Sequence, residues 1–381
     1  MVEDSADGNR ERAEFHDEVR GIHVNLGEEA KKAFDEVLRS RGRVNILIAG
    51  RVGVGKSTLV NAVFQGRLAE TGQGRPITPN TREITKEGIP VSIFDTRGLE
   101  LTGFKDTLGA LESLVKSRRA EPDPHRHIHV AWICIAEDLR RVEEAESSLV
   151  TLLALYMPVL GVITKARADQ GFKRIVQDLL PEAKNIVRVR VLKEEFDDGH
   201  ILAPMGLQNL VELTMEVVPE GQKNAFAAAQ KVSLELKKSR SQMAVASAVT
   251  LAIATAASPI PFSDAAILVP IQIGMLTSIT LIFGVPVSTG FLSTLVASTI
   301  TGAGATISGR AIVANLLKFI PGGGTFVGIA IAAPTAALLT TAFGEAYIAV
   351  LVKLFAENNG EAPKPEDILN AFKGELRKRL R

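Results

Sequence analysis

The densest chemistry in the chain is the run Gly50-Arg51-Val52-Gly53-Val54-Gly55-Lys56-Ser57. Its order is G-x-x-x-x-G-K-S, placed directly after the apolar run Val44–Ala49 and before a helix-forming stretch. Glycine lets the backbone wrap tightly, so successive N–H groups converge on one anion. A helix starting near Lys56 adds the partial positive charge of its N-terminus. Val52, Gly53, Val54, Gly55 and Thr58 are therefore expected to line a phosphate cradle. Lys56 would neutralise the outer phosphates, and the Ser57 hydroxyl would ligate Mg²⁺.

A second cluster, Asp95-Thr96-Arg97-Gly98, follows the short apolar strand Val91–Phe94. A carboxylate at that strand end would hold the metal, and the Gly98 N–H would sense the terminal phosphate. Between the two clusters, residues 75–84 are rich in Pro, Thr and Arg and are read as a polar, mobile loop. One of its threonines would complete the Mg²⁺ shell, Thr81 before Thr78. The metal ligands expected are Ser57, Thr81 and Asp95, with Lys56 and Thr81 acting on the reacting phosphate. His125, His127 and His129 alternate along one strand edge. No Cys or carboxylate stands at ligand spacing beside them, so they are read as surface histidines.

The elements that must position these groups follow from periodicity. Strands are expected at Val44–Ala49, Val91–Phe94, Ile128–Ala136, Val159–Ile163 and Ile186–Leu192. Helices are expected at Lys56–Phe64, Leu108–Lys116, Phe172–Leu180 and Leu207–Val218. Apolar strands alternating with helices indicate an α/β unit with a mainly parallel sheet covered on both faces. Before it, residues 1–20 form a polar arm, and 27–41 has helical periodicity and is expected to pack on the α/β unit. After it comes an amphipathic helix over 224–240. The chain divides into an arm and helix over 1–40, the nucleotide unit over 41–218 and an all-α apolar region over 219–381.

That last region contains three stretches without charged side chains: 241–263, 265–309 and 319–344. The second exceeds the ~20 residues that cross a bilayer. Pro259, Pro261, Gly284, Pro286, Gly302, Gly304 and Pro321 cut these stretches into shorter helices, one starting after Ser263 and running through Pro270 to Phe283. Abundant Ala, Gly, Ser and Thr allow close helix–helix contact, in a membrane or in a packed core. Lys237, Lys238 and Arg240 before the region, and Arg377–Arg379 and Arg381 after it, suit an inner-face location of both ends.

Composition narrows the classes. The net charge of +1 indicates no nucleic-acid partner. Hydrophobic residues at 46% exclude general disorder. The single cysteine, Cys134, rules out a disulfide framework within the chain and fits a reducing compartment. The polar N-terminus has no apolar signal core.

Together the phosphate loop, Thr81-Arg82 and Asp95-Thr96-x-Gly98 resemble the Era-like branch of P-loop GTPases over about 41–218. The resemblance implies a Mg²⁺-dependent switch that binds GTP and GDP and hydrolyses GTP slowly. Thr164-Lys165 resembles that branch's base-reading motif, Asn/Thr-Lys-x-Asp, but here the acid, Asp169, arrives two residues late. Lys165 would cover the base with its stem, and Asp169 would accept the guanine N–H groups if it reaches them. Leu99 stands where many GTPases carry a water-orienting Gln, Gly53 where the branch often has Asn, and Arg97 where it usually has Pro. Residues 222–290, with Pro259-Ile260-Pro261-Phe262-Ser263-Asp264, resemble the hydrophobic domain of YcjF-like proteins, which implies membrane association. The expectation is a cytoplasmic G domain, membrane-associated through its C-terminal helices, with guanine nucleotide, membrane and a second copy of the G domain as partners. The alternative is a GTP-dependent scaffold or membrane-remodelling protein whose hydrolysis is incidental.

Overall fold

In a computed structural model of the chain, the structure describes residues 31–96, 104–256, 264–286, 291, 295 and 335–380. The polar arm, Arg97, Gly98, Leu99, Pro259, Pro261, Ser263, the glycine and proline breaks after 300, and Arg381 lie outside the described residues. So do the side chains of Asp264 and Arg377–Arg379.

Seven strands make one sheet in the order β2-β3-β4-β1-β5-β6-β7. They are β1 Val44–Ala49, β2 Gln73–Thr78, β3 Thr81–Lys86, β4 Ile89–Thr96, β5 Val130–Ala136, β6 Val159–Thr164 and β7 Asn185–Arg188. The five strands from β4 through β7 pair in parallel, and β2–β3–β4 pair antiparallel. Every residue of β1, β5 and β6 is buried, as a sheet covered on both faces requires. Helices α4 (Phe104–Arg119), α5 (Glu144–Ala154) and α6 (Phe172–Leu179) close one face. The other face is closed by α2 (Lys56–Val63), α7 (Leu207–Val217) and α8 (Glu220–Ala229), with the short α3 (Leu68–Thr71) beside α2. A small hairpin, β8 (Glu194–Glu195) with β9 (Ile201–Leu202), leads into α7. The α/β unit with a mainly parallel sheet is thus as the sequence indicates.

Among the described residues the C-terminal region contains α9 (Leu234–Ala256), α10 (Asp264–Phe283), α11 (Thr335–Glu357) and α12 (Pro365–Leu380). Small residues do bring helices close. A Cβ on Gly344 of α11 would come within 2.5 Å of Val245 on α9. Inside this layer the Tyr347 hydroxyl lies 2.8 Å from the Thr280 hydroxyl, which satisfies both buried groups. Among the described residues no helix is long and apolar enough to cross a membrane.

Five details depart from the sequence expectations. Residues 73–86 are a β-hairpin, not a loop; β2 is the exposed edge strand, so it carries no apolar alternation to reveal it. Residues 224–240 are two helices, because Ser233 starts α9 by accepting the Leu236 N–H at 3.3 Å while Gln230 brackets the turn through its side-chain amide. Helix α1, residues 31–40, places Phe34 in the core of the C-terminal helices rather than on the sheet. The last strand stops at Arg188, and only Arg190 continues, as an isolated bridge to Met205. Finally, His129 is buried: its Nδ1 accepts the Asn45 N–H at 2.9 Å and its Nε2 lies 3.0 Å from the Pro124 carbonyl. No metal-holding cluster occurs among the described residues.

Burial first, then the neighbouring His127 and His125, holds His129 below the ordinary imidazole value of 6.5. The unfolded chain therefore binds the extra proton first, and stability falls as pH drops below about 6.5. We expect the unfolding free energy from urea titrations to decline between pH 7 and 5 with an excess slope of at most ~1.4 kcal/mol per pH unit. His129→Gln should be weaker at pH 7 but flatter across that window; parallel profiles would count against the assignment.

The halves meet at the end of α2. The Lys231 N–H donates to the Val63 carbonyl at 2.8 Å, and Phe64 pairs with Gln230 in an antiparallel bridge. Gln65 donates to the Ala228 carbonyl at 2.6 Å, and Glu361 accepts both the Gly66 N–H at 3.0 Å and Lys231 Nζ at 2.7 Å. Lys237 is fully buried there, its ammonium donating to the carbonyls of Ala227, Ala228 and Phe283 at 2.6, 3.1 and 3.1 Å. Gly284, at φ +80°, is required beside it, since a Cβ would stand 2.4 Å from the Ala228 oxygen.

Candidate nucleotide-binding site

The phosphate loop is formed by the turn from β1 into α2. Gly50, Gly53 and Gly55 all have positive φ, 151°, 79° and 96°. Gly50 also has no room for a side chain, because a Cβ would lie 2.4 Å from the Cys134 carbonyl on β5. Among the described residues, nothing lies within 4 Å of a notional Cβ on Gly53 or Gly55. Val52 is 74% exposed, and Ser57 and Thr58 are exposed at the first turn of α2, whereas Val54 points inward. Lys56 curls back over the loop and donates to the carbonyls of Gly50 at 2.6 Å and Arg51 at 3.0 Å. That places one ammonium at a helix N-terminus whose cap is Gly55, with no side-chain cap competing for the N–H groups. Behind the loop, burial pushes the Cys134 thiol up to about 12, so it is an inert wall.

Parallel pairing sets Asp95 beside Ile48 and Thr96 beside Ala49, level with the start of the loop. Asp95 is buried, and Arg82 sits across the hairpin from it with Nε 3.3 Å from Oδ2. Thr81 faces Thr96, and the two hydroxyls are 3.1 Å apart and buried. The structure therefore brings Thr81 to the Asp95 strand end, on β3 rather than on a loop. Ser57, Thr81 and Asp95 offer two hydroxyls and a carboxylate, with no nitrogen or sulfur, which is a donor set that fits Mg²⁺.

The third side of the site is the loop after β6. The Thr164 hydroxyl donates to the Val54 carbonyl at 2.6 Å, which ties this loop to the phosphate loop. Lys165 has a left-handed φ of 52°, and its Nζ lies 3.2 Å from Asp138. Asp169 accepts the Lys173 N–H at 2.8 Å and so caps the start of α6, with its side chain 38% exposed.

Sequence reasoning passed over the residues that hold this loop. Glu137, buried just after β5, accepts from Arg188 Nε at 2.8 Å and Nη2 at 3.1 Å, and also takes the Arg167 N–H. Arg190 donates to the carbonyls of Ala166 at 2.6 Å and Ala203 at 2.7 Å. Arg140 donates to the carbonyls of Ala168 and Asp169 and, at 3.3 Å, to Gln170 Oε1. The only available signal was the charge density of Glu137-Asp138-Leu139-Arg140 straight after an apolar strand.

Two family models match the chain: "50S ribosome-binding GTPase" over residues 45–165 and "Domain of unknown function (DUF697)" over 221–378. The chain is 33% identical over 109 residues to the tRNA modification GTPase MnmE of Herminiimonas arsenicoxydans, covering 26% of this chain and 23% of that protein. It is 26% identical over 192 residues to the GTPase Era of Thermoanaerobacter sp. (strain X514), covering 47% of this chain and 55% of that protein. It thus spans about half or less of the length of these relatives. Among solved structures, the G domain of the T. maritima FeoB iron transporter is 20% identical, with 46% of this chain and 98% of that chain covered, at a TM-score of only 0.29. The chain accordingly joins a segment matched by the GTPase model to a segment matched by DUF697, and its first half is similar to Era and MnmE GTPases.

Proposed function

We propose that the chain binds GTP and GDP with Mg²⁺, hydrolyses GTP slowly, and passes its nucleotide state to the C-terminal helices. The observation that carries this reading is the three-glycine turn with Lys56 folded over it at the N-terminus of α2. In this reading Val52–Thr58 and Gly98 cradle the phosphates, and Ser57, Thr81 and Asp95 hold the ion. Bound Mg²⁺ would screen the charge of the outer phosphates. Lys56 and Thr81 orient the terminal phosphate, Lys165 covers the base and Asp169 reads it. Leu99 cannot orient water, which supports slow turnover without a partner. The nucleotide unit is 41–218.

The Gln65 and Lys237 contacts support coupling, because the helix that begins with Lys56 and Ser57 ends against α8, α9 and the α10 terminus. The uncharged stretch 265–309 supports a membrane as the downstream target, with the G domain in the cytoplasm. Self-association through the G domain belongs to the same proposal. If hydrolysis stays near zero at every protein concentration, a GTP-dependent scaffold is the better description, and Leu99 favours it.

Calorimetric titration of the full chain with GTP, GDP and ATP in the presence of Mg²⁺ tests the nucleotide reading. The guanine nucleotides should bind at least tenfold tighter than ATP, by roughly 1.4 kcal/mol or more. Equal affinities would reject the guanine assignment. Liposome flotation with and without GTP tests the membrane arm separately.

A further inference from the structure

We propose that Arg140 is a positioning residue for base recognition, holding the lengthened loop after β6 so that Asp169 is presented to guanine. The proposal rests on the guanine-nucleotide reading above. Thr164-Lys165 is followed by Ala166-Arg167-Ala168 before the acid, so the loop has two more residues than the motif it resembles. Fixing each added residue in one conformation carries an entropic cost. Something outside the motif must supply that order.

Arg140 is placed to do so. It lies just beyond β5, in a left-handed conformation with φ 50°, at the end of the 3-10 turn Glu137–Leu139. Its guanidinium forks across the carbonyls of Ala168 and Asp169, reaches Gln170 Oε1, and covers the Phe172 ring at 5.7 Å. A planar fork with several donors suits that arrangement, whereas an ammonium does not. The loop is fixed from the other side by Glu137, which receives the Arg167 N–H, and by Arg190 on the Ala166 carbonyl. Between these anchors lies Asp169. Its Oδ1 accepts the Lys173 N–H at 2.8 Å and lies 3.7 Å from Arg188 Nε, while the side chain stays 38% exposed beside α6. A carboxylate has capacity for further donors. Guanine offers two adjacent N–H donors, while adenine presents an acceptor there, so the position of this carboxylate sets the discrimination. Asp138, 3.2 Å from Lys165 Nζ, aims the neighbouring lysine from the same turn.

Arg140 is exposed, so its removal should leave the sheet intact. The test uses the full chain and fluorescent GDP and ADP, titrated into wild type, Arg140→Ala, Arg140→Lys and Asp169→Asn. The expected result is a roughly tenfold fall in GDP affinity for Arg140→Ala with ADP affinity unchanged. Arg140→Lys should fall nearly as far, and Asp169→Asn should collapse the GDP-to-ADP ratio. The double variant Arg140→Ala, Asp169→Asn should lose no more than Asp169→Asn alone. A wild-type preference for GDP that survives in Arg140→Ala overturns this proposal alone. Equal loss of GDP and ADP in Arg140→Ala also overturns it, because that is damage to the phosphate cradle rather than to base reading. A wild-type chain with no preference overturns the guanine reading and this proposal together.

Discussion

Lys56→Ala is expected to lower the affinity for Mg·GTP roughly 30- to 5,000-fold, since truncating one partner of a buried, hydrogen-bonded charge pair costs about 2–5 kcal/mol. The ammonium already lies against the Gly50 and Arg51 carbonyls at 2.6 and 3.0 Å, so it is held over the turn before any ligand arrives. Little ordering is left to do on binding, and most of its interaction with the phosphates appears as affinity. Lys56→Arg should fail as well: a planar, bulkier guanidinium does not replace a point charge lying on the loop. The stability of the ligand-free variant is the control. Only two half-exposed hydrogen bonds are lost, so its Tm should shift by no more than a few degrees. Calorimetry on Lys56→Ala that returned an affinity within threefold of wild type would remove the ammonium from the phosphate site.

The second large effect is on stability. Lys237→Ala should cost at least about 3 kcal/mol, because three buried carbonyls lose their donor at ~1–3 kcal/mol each. Burial pushes Lys237 well below the ordinary lysine range. Its three N–H bonds are matched by three carbonyls, from the last turn of α8 and the last residue of α10. Two helix C-termini thus face one cation, which is the favourable end for a positive charge. The Lys237 Nζ lies over the Phe355 ring, 5.6 Å from the ring centre. Lys237→Met separates the contributions. The thioether chain refills the space, at ~0.8 kcal/mol per methylene, but leaves the carbonyls unmet. It should recover part of the alanine loss and still melt below wild type, at about 2–4 °C per kcal/mol. A methionine variant as stable as wild type would mean that those carbonyls find other donors.

What the sequence revealed and what it hid have a common physical cause. The phosphate loop was legible because its chemistry is local: glycine conformations, one lysine and one serine within eight residues, between a strand and a helix. Asp95 was legible because it closes an apolar strand. The β2–β3 hairpin was hidden because its edge strand is exposed and polar, with Pro76 in it, and nothing alternates. The break between α8 and α9 was hidden because apolar periodicity runs through Gln230 and Ser233; the Ser233 cap was the available signal. The burial of His129 depends on Asn45, far away in the chain, and no local pattern reports it. The same holds for Arg140, Arg188 and Arg190, whose acceptors lie in other loops.

Phe64 stacks on Trp132 at 5.9 Å and meets Phe226 edge-on at 6.3 Å, while the Trp132 indole donates to Thr214. Phe226 lies in the segment matched as DUF697, and Trp132 in the segment matched as the GTPase. Sequence relationship thus divides the chain where the aromatic packing does not. A lineage that exchanged its C-terminal half for another would strip one wall from the tryptophan. Any replacement for the C-terminal half would have to rebuild the aromatic wall that Phe226 supplies.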